Sequence, residues 1–361
     1  MKKFSVFLST VFTLMVLASS AFAQTTVGIV LPTKDEERWI QDQNRFQSAL
    51  KTAGISAEVL FSEKDSAKEK SNVETLITKG IKVLVLCPVD SASAAASADA
   101  AAKAGVKVVA YDRLITGTKN VDFYVTFDSF SVGAEWGKYL VSQAKGKGNN
   151  LYLYAGAASD NNAFIFFAGA WSILQPKIAD GTFKIVNSDA AIKLQKKAEL
   201  TREEEASIIG QVTTNWNPND AKSKAESHLT KATKAQKGIA YVLSPNDQTA
   251  RAIADVFAKD KDIKKAYTTG QDADKASIQY IIDGKQSMTV LKDTRVLVAD
   301  AIKTAITFSK GETPEKTKTY NNGVIEVPAK PSDVTAVTQA NVKAAIVDSG
   351  YYPASLFTGL K

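Results

Sequence analysis

The sequence predicts an α/β protein of two lobes, each a parallel β-sheet flanked by helices. Four apolar strand patterns alternate with three helix patterns between Thr26 and Tyr111, which is typical of a doubly wound parallel sheet. The same alternation restarts after Asp128. The roughly 338 residues that follow the N-terminal leader are many for one sheet of this kind, so two lobes of similar topology suit the chain better.

In the first half, short apolar runs predict strands and apolar residues at helical spacing predict helices. Glycines end the three helices, as they commonly do. A further strand, Asp122–Phe127, leads into the second half. The predicted strands are 26–32, 55–61, 81–86 and 106–111, and the predicted helices are 38–53, 66–79 and 91–104.

The second half continues the alternation. Its predicted helices are 130–144, 162–178, 220–233 and 247–257, and its strands are 150–154, 183–187, 239–243 and 266–270. Residues 189–215 are longer than a typical connection and are predicted to form a partly helical surface insertion. After Gly270 we predict helices 275–283, 294–310 and 339–350 and strands 286–290 and 323–328. Periodicity does not indicate which lobe these elements join.

The N-terminus has the three parts of a secretory signal peptide. Two lysines precede an apolar run, Phe4–Leu17, which is followed by small residues up to Ala23, so residues 1–23 are predicted to be cleaved off. A membrane anchor is the alternative, but the run is shorter than the ~20 residues of a spanning helix. No cysteine follows it, which disfavours a lipid anchor. We therefore expect a periplasmic protein.

Composition excludes several classes of function. The net charge of +7 comes from mixed acidic and basic runs, whereas a nucleic-acid face concentrates its basic residues. Cys87 and His228 are the single cysteine and the single histidine of the sequence, too few for a disulfide or an ordinary zinc site. No glycine-rich phosphate loop occurs. We therefore expect no catalytic residue, metal or cofactor, and no nucleic-acid partner.

Polar and aromatic residues follow many of the predicted strands. Open α/β sheets bind ligands beyond the carboxyl ends of their strands. Sugar hydroxyls both donate and accept hydrogen bonds, so planar Asn, Asp and Arg groups suit them, and a tryptophan can cover the apolar face of a pyranose. The residues in question are Lys34, Arg38, Trp39, Asp112, Arg113, Asp160, Asn161, Asn162, Trp216, Asn217, Asn246, Asp247, Gln271, Asp272, Lys292 and Asp293.

Each of these residues also has an ordinary structural interpretation. Asn162 and Asp247 could cap the helices that they precede. Trp39 could belong to the core, and Asp112 with Arg113 could form a surface ion pair. Capping accounts for some of the sites but not for the basic ones. Their recurrence at seven strand ends therefore favours a ligand site.

At these positions the chain resembles the periplasmic monosaccharide-binding proteins of ATP-binding-cassette (ABC) uptake systems, in the branch with xylose-binding and multiple-sugar-binding members. The similar stretches cover nearly the whole chain in order. They are Leu31-Pro-Thr-Lys with Arg38-Trp39, Tyr111-Asp-Arg-Leu-Ile, Phe127-Asp, Asp160-Asn-Asn-Ala-Phe, Trp216-x-Pro, Asn246-Asp, Gly270-Gln-Asp-Ala-Asp, Lys292-Asp-Thr-Arg, Asn321-Asn-Gly and Val327-Pro.

The resemblance implies two Rossmann-like lobes joined by a three-strand hinge and closing on one sugar, the fold of type I periplasmic binding proteins. It implies a first lobe of residues 24–127 with 272–322 and a second of 128–271 with 323–361. The ligand residues that it implies are Lys34, Arg38, Trp39, Asp112, Arg113, Asn162, Trp216, Asn246, Asp272 and Lys292.

The same resemblance implies a monomer that delivers an aldose to an ABC permease. Ser244-Pro245 is closer to the multiple-sugar pattern than to the xylose one, so glucose, galactose, arabinose and xylose are the expected ligands. A sensor that presents sugar to a chemoreceptor or a sensor kinase is the alternative. A glycosidase would need two carboxylates in suitable positions, such as Asp112 and Asp272, but their basic and amide neighbours favour charged hydroxyl acceptors. A DNA-binding regulator is disfavoured because a signal peptide stands where its DNA-binding helices would be.

Overall fold

A computed structural model describes residues 26–360, so the predicted signal peptide at 1–23 lies outside the described residues. Within the described range, none of the helices is long and apolar enough to cross a membrane. The strands are β1 Val27–Leu31, β2 Ala57–Phe61, β3 Val83–Leu86, β4 Lys107–Tyr111, β5 Phe123–Phe127, β6 Asn149–Leu153, β7 Phe183–Ile185, β8 Gly238–Leu243, β9 Ile263–Thr268, β10 Met288–Leu291, β11 Lys318–Asn321, β12 Glu326–Ser332 and β13 Thr335–Thr338.

Eleven α-helices of the described residues accompany these strands. They are α1 Glu37–Ala53, α2 Ser66–Thr78, α3 Ala95–Lys103, α4 Ser129–Gln143, α5 Asn161–Ala179, α6 Asp189–Leu194, α7 Arg202–Val212, α8 Pro218–Lys231, α9 Asp247–Lys259, α10 Lys275–Ile282 and α11 Thr294–Ser309. The alternation of helices with parallel strands confirms the predicted α/β fold.

The first lobe is built on a seven-stranded sheet in the order β11-β12-β5-β4-β3-β1-β2. All neighbouring pairs are parallel except β11 with β12. Successive side chains of a strand point to opposite faces, and here both faces are covered. Ile29 packs in a core with residues of α1 and α11, whereas Val30 packs in the opposite core with residues of α2 and α3. Burial on both faces explains why these strands are continuous apolar runs.

The second lobe is built on a parallel sheet in the order β7-β6-β8-β9. A parallel bridge between Gln271 and Val290 places β10 beyond β9, and β13 pairs with β10 in the antiparallel sense. Residues of α4, α5 and α7 cover one face of this sheet in a single core. Residues of α8 and α9 cover the other face.

Three segments connect the lobes. They follow β5 at Asp128, β10 at Lys292 and Asp293, and β12 at Asp333. Two of them touch, because the Asp128 N–H donates to the Ser332 carbonyl at 2.9 Å. The partly buried Val334, in the third segment, packs against the cores of both lobes.

The sheet pairing differs in two places from the expected lobe boundaries, 24–127 with 272–322 and 128–271 with 323–361. β12 was expected in the second lobe, yet it pairs with β5 of the seven-stranded sheet. β10 was expected in the first lobe, yet Met288 and Val290 lie in the core of the second. Apolar patterning indicates that a strand is buried but not which sheet buries it.

Two predicted elements differ from the structure. The 189–215 insertion contains α6 and α7, and α7 is not confined to the surface, because Ile208, Ile209 and Val212 are buried in the core beside α5. Helix α7 begins with a capping box between Thr201 and Glu204. The predicted helix 339–350 is instead a short π-helical segment, Lys343–Asp348.

Glu69 of α2 gives a prediction about stability. Its side chain is buried and accepts the Val89 N–H at 2.7 Å, and burial raises its pKa to about 7. A carboxyl group whose pKa is raised on folding costs no stability below its unfolded pKa and becomes destabilising as the pH rises toward its folded value. We therefore expect Glu69→Gln to change the melting temperature little at pH 5 and to raise it at pH 8. Thermal unfolding across this range checks the prediction, with Glu74→Gln on the exposed side of α2 as the control.

Candidate functional site

The carboxyl ends of the strands from both lobes meet at a narrow cavity in the cleft between them. The cavity is lined by Glu36, Arg38, Trp39, Asp112, Arg113, Asp160, Asn162, Phe166, Trp216, Asn246, Gln271, Asp272 and Lys292. The lining residues stand at strand-to-helix connections and in the first turns of helices, where the backbone of an α/β sheet leaves room for a ligand.

A buried ionic network spans the cavity. Arg38, in the first turn of α1, lies 2.9 Å from Asp112 Oδ2 and 3.0 Å from Asp42 Oδ2. Lys292 Nζ lies 2.9 Å from Asp272 Oδ1 and 3.8 Å from Asp112 Oδ2. Burial alone would raise the pKa of Asp112, but the charges of Lys292 and Arg38 lower it to about 2. Asp112 therefore stays ionised and acts as a hydrogen-bond acceptor at neutral pH.

A second ion pair crosses the cleft from one lobe to the other. Arg113 Nε, after β4, lies 2.9 Å from Asp160 Oδ2, at the start of α5. The guanidinium also donates to the Pro88 carbonyl at 3.2 Å. Both side chains are buried. This pair holds the two lobes together at one edge of the cavity.

Aromatic rings form the apolar part of the lining. The Arg38 and Arg113 guanidinium carbons lie 4.8 and 5.2 Å from the Trp39 ring centroid, within cation–π range. In the second lobe, Phe166 meets Trp216 edge to face at 6.3 Å. A ligand in the cavity therefore finds one indole on each side of the cleft.

Three lining residues have backbone angles that are uncommon for residues other than glycine. The φ angles are 61° at Asp112, 56° at Trp216 and 98° at Asp272. At Asp112 the conformation is held by its carbonyl, which accepts from Tyr124 Oη at 2.7 Å and from Asn162 Nδ2 at 3.0 Å. Such strain is typical of sites whose side chains are held in place before a ligand arrives.

Three buried polar atoms of lining residues have no hydrogen-bond partner among residues 26–360. They are the donors Arg38 Nη1 and Trp216 Nε1 and the acceptor Gln271 Oε1. A buried polar group without a partner costs free energy. A ligand that both accepts and donates hydrogen bonds would remove this cost.

The structure brings nine of the ten proposed ligand residues to the cavity. Lys34 is the exception: its side chain is exposed, and its Nζ lies 5.1 Å from the Phe61 ring centroid. The capping interpretation is wrong for both Asn162 and Asp247, because Asp160 caps α5 and Asn246, whose Oδ1 accepts from the first turn of the helix, caps α9. Trp39 belongs to the core as well as to the cavity.

The surface ion pair considered for Asp112 and Arg113 is wrong, since both side chains are buried. They also bind different partners: Asp112 pairs with Arg38 and Lys292, and Arg113 pairs with Asp160. Within the described part of the chain, no cluster of three or more His, Cys, Asp or Glu side chains could hold a metal ion.

Four lining residues were not among the proposed ligand residues: Glu36, Asp160, Phe166 and Gln271. Asp160 and Gln271 lie near Asn162 and Asp272 at the ends of predicted strands. Their position as polar residues after a strand could have identified them in the same way. Phe166 follows Asn162 by one helical turn, so the two residues share a face of α5. Glu36 lies two residues before Arg38 in an acidic run, and that run alone did not distinguish it.

Gly156 keeps the Trp216 ring in position. A Cβ atom at Gly156 would lie 2.0–2.5 Å from three carbon atoms of that ring, so only glycine allows this approach. We expect Gly156→Ala to displace Trp216 and to weaken ligand binding at least tenfold, with a shift in tryptophan fluorescence. Gly210→Ala, where the new methyl group would contact nothing, is the control. Unchanged affinity and emission in Gly156→Ala would contradict this role.

Comparison with known proteins gives a consistent result. The profile of the periplasmic binding protein domain matches residues 27–313. The multiple sugar-binding periplasmic receptor of Rhizobium radiobacter is 36% identical, with 91% of each chain covered. The D-xylose-binding periplasmic protein of Haemophilus influenzae is 32% identical, with 98% of each chain covered.

Solved structures agree with the sequence matches. A carbohydrate transporter solute binding protein from Chloroflexus aurantiacus, in complex with D-glucose, superposes with a TM-score of 0.92. It is 64% identical, and the match covers 93% of this chain and 98% of that one. An ABC transporter solute binding protein from Clostridium phytofermentans with bound β-D-glucose is 31% identical, with a TM-score of 0.80 and coverage of 93% and 100%.

Proposed function

This chain belongs to the periplasmic binding protein family, and from that premise we propose that it captures a monosaccharide between its two lobes and delivers it to an ABC permease. The ligand is an aldose. D-glucose is the first candidate because the 64% identical protein holds it. D-galactose, L-arabinose and D-xylose are the others, since multiple-sugar-binding and xylose-binding proteins are among the relatives.

The observation that carries this proposal is the set of unpartnered buried atoms in the cavity. Arg38 Nη1, which lies 3.7 Å from Asp272 Oδ1, and Trp216 Nε1 have no hydrogen-bond acceptor, and Gln271 Oε1 has no donor. A sugar hydroxyl is both an acceptor and a donor. The indoles of Trp39 and Trp216 supply flat apolar surfaces against which the C–H groups of a pyranose pack. The cavity is therefore suited to a compact polyhydroxylated ring.

Capture follows from the distribution of the lining between the lobes. Arg38 on α1 and Asp112 after β4 belong to the first lobe, and Trp216 before α8 and Asn246 before α9 belong to the second. A sugar that contacts both sets at once binds the closed form better than an open one, and this difference in affinity shifts the population toward closure. The three connecting segments at Asp128, Lys292 and Asp333 are the hinge about which the lobes rotate.

The leader of residues 1–23 exports the protein to the periplasm, where it acts as a monomer. The closed form, which presents both lobes in one fixed arrangement, is the form that the permease recognises. A chemoreceptor or a sensor kinase could recognise the same form, and the Rhizobium relative is itself described as a receptor. Transport is preferred because two related solved structures are described as transporter solute-binding proteins.

The ionisation of the cavity favours binding over catalysis. A glycosidase needs a carboxylic acid that can donate a proton near its working pH. The pKa of Asp112 is about 2 because Lys292 and Arg38 outweigh the effect of burial. Asp272 Oδ1 lies 2.9 Å from Lys292 Nζ and forms an ion pair with it. These two carboxylates therefore serve as acceptors for sugar hydroxyls.

Isothermal titration calorimetry with D-glucose, D-galactose, L-arabinose and D-xylose tests the proposal. Saturable binding of at least one of them with a stoichiometry of one supports it, and the order of the four affinities defines the specificity. Glycerol is the control for non-specific polyol binding. If none of the four aldoses produced heat beyond dilution, the carbohydrate assignment would be wrong.

A further inference from the structure

The charges that line the cavity do not balance. The lining contains three cations, Arg38, Arg113 and Lys292, and four carboxylates. Each cation lies 2.9 Å from an aspartate oxygen, in the pairs with Asp112, Asp160 and Asp272 respectively. The fourth carboxylate, that of Glu36, has no ion-pair partner among the described residues, so it is the one lining carboxylate with which no cation of the chain pairs directly.

The Glu36 side chain makes few polar contacts within the protein. It occupies the N-cap position of α1 but caps no N–H of the helix. Its one hydrogen bond is from the Trp39 indole, with Nε1 3.2 Å from Oε2, and Oε1 accepts nothing from residues 26–360. The residue is only 8% exposed. Burial raises its pKa, and the more distant charges of Arg113 and Lys64 lower it in part.

A buried carboxylate of this kind is costly unless something compensates it. Every other carboxylate of the lining is compensated by a cation of the chain. Besides protonation, which burial favours, the remaining source of compensation is the occupant of the cavity. A group that carries hydrogen, and most of all a positively charged group, would satisfy Oε1 and offset the charge.

We propose that Glu36 is a specificity-determining residue, which allows the cavity to accept amino monosaccharides in addition to neutral aldoses and provides the counter-charge for their ammonium group. This inference rests on the function proposed above. The same carboxylate disfavours uronic acids, because a second negative charge would face Glu36 while each cation is already paired with an aspartate.

The alternative role for Glu36 is to orient the Trp39 ring through its hydrogen bond. Glu36→Gln separates the two roles, because glutamine keeps the size of the side chain and an oxygen that can accept from the indole, while it removes the charge and replaces the second acceptor oxygen with an NH2 donor. Trp39→Phe is the matched variant, since it removes the N–H donor and keeps an aromatic ring with the carboxylate in place.

The test is calorimetric titration of the wild type and both variants with D-glucose, D-glucosamine and D-glucuronate, at a pH at which the amine is protonated. We expect the wild type to bind glucosamine within about tenfold of glucose and to bind glucuronate far more weakly. In Glu36→Gln, glucosamine binding should fall at least tenfold relative to glucose. In Trp39→Phe, the glucosamine-to-glucose ratio should stay within threefold of wild type.

Two results would overturn the inference. One is wild-type protein that binds glucose but not glucosamine. The other is a Glu36→Gln variant that melts like the wild type and keeps the wild-type ratio of the two affinities. A wild type that bound none of the three sugars, nor any other aldose, would instead overturn the proposed function itself.

Discussion

An Arg38→Met variant is expected to lose D-glucose binding by at least a hundredfold and to unfold more easily than the wild type. The substitution removes the unpartnered Nη1 donor. It also leaves Asp42, which is fully buried, without its cation at 3.0 Å. Breaking a buried ion pair on one side costs about 3–5 kcal/mol, so we expect a loss of that size in the free energy of unfolding. Calorimetric titration and urea denaturation measure the two effects.

A double variant separates binding from stability. Asp42 is in contact with Arg38 but does not line the cavity. Arg38→Met combined with Asp42→Asn removes the uncompensated charge and keeps an oxygen that can accept from Tyr111 Oη, now 2.8 Å from Asp42 Oδ2. We expect it to recover much of the stability and none of the affinity. Recovered sugar binding in the double variant would show that Arg38 does not contact the ligand.

Asp112→Asn is expected to weaken D-glucose binding ten- to hundredfold, the range for losing one charged hydrogen bond and its network. Asparagine is the informative replacement because Asp112 has a φ angle of 61°, a conformation that asparagine tolerates better than most residues. The loss of affinity therefore measures the effect of removing the Asp112 charge, with which both Arg38 and Lys292 pair in the wild type. Titration calorimetry measures it.

The same variant has a defined pH dependence. A carboxyl group whose pKa is depressed on folding contributes stability that is present above its unfolded pKa and is lost as the pH falls through its folded pKa. For Asp112 these values are about 4 and about 2, which corresponds to roughly 2–3 kcal/mol. The difference in unfolding free energy between wild type and Asp112→Asn should shrink as the pH falls from 5 toward 2. Glu58→Gln, in a surface pair with Lys79, is the control and should show little dependence.

Much of the fold was predictable because a parallel strand that is buried on both faces consists of consecutive apolar residues. β1, β3 and β4 all lie within predicted strands. The pairing of β12 and β10 was not predictable from residues alone, since a buried strand has the same apolar pattern in either sheet. The lobe boundaries at 272–322 and 323–361 came from resemblance, and the strand pairing departs from them at these two strands.

Candidate site residues could be proposed because the topology brings strand ends together. Arg38, Asp112 and Lys292 are distant in sequence, yet each follows a strand, and all three line one cavity. Lys34 follows a strand too, but it precedes α1 and its side chain turns toward Phe61. Glu36 was not predicted because burial, and not residue type, distinguishes it from its acidic neighbours.

Small-angle X-ray scattering of the purified protein, without and with saturating D-glucose, tests the central claim most directly. If a monosaccharide draws the two lobes together, the radius of gyration should fall on addition of D-glucose in the wild type and should not change in Arg38→Met. An unchanged radius of gyration in wild-type protein that calorimetry shows to be saturated with glucose would contradict capture by closure of the lobes.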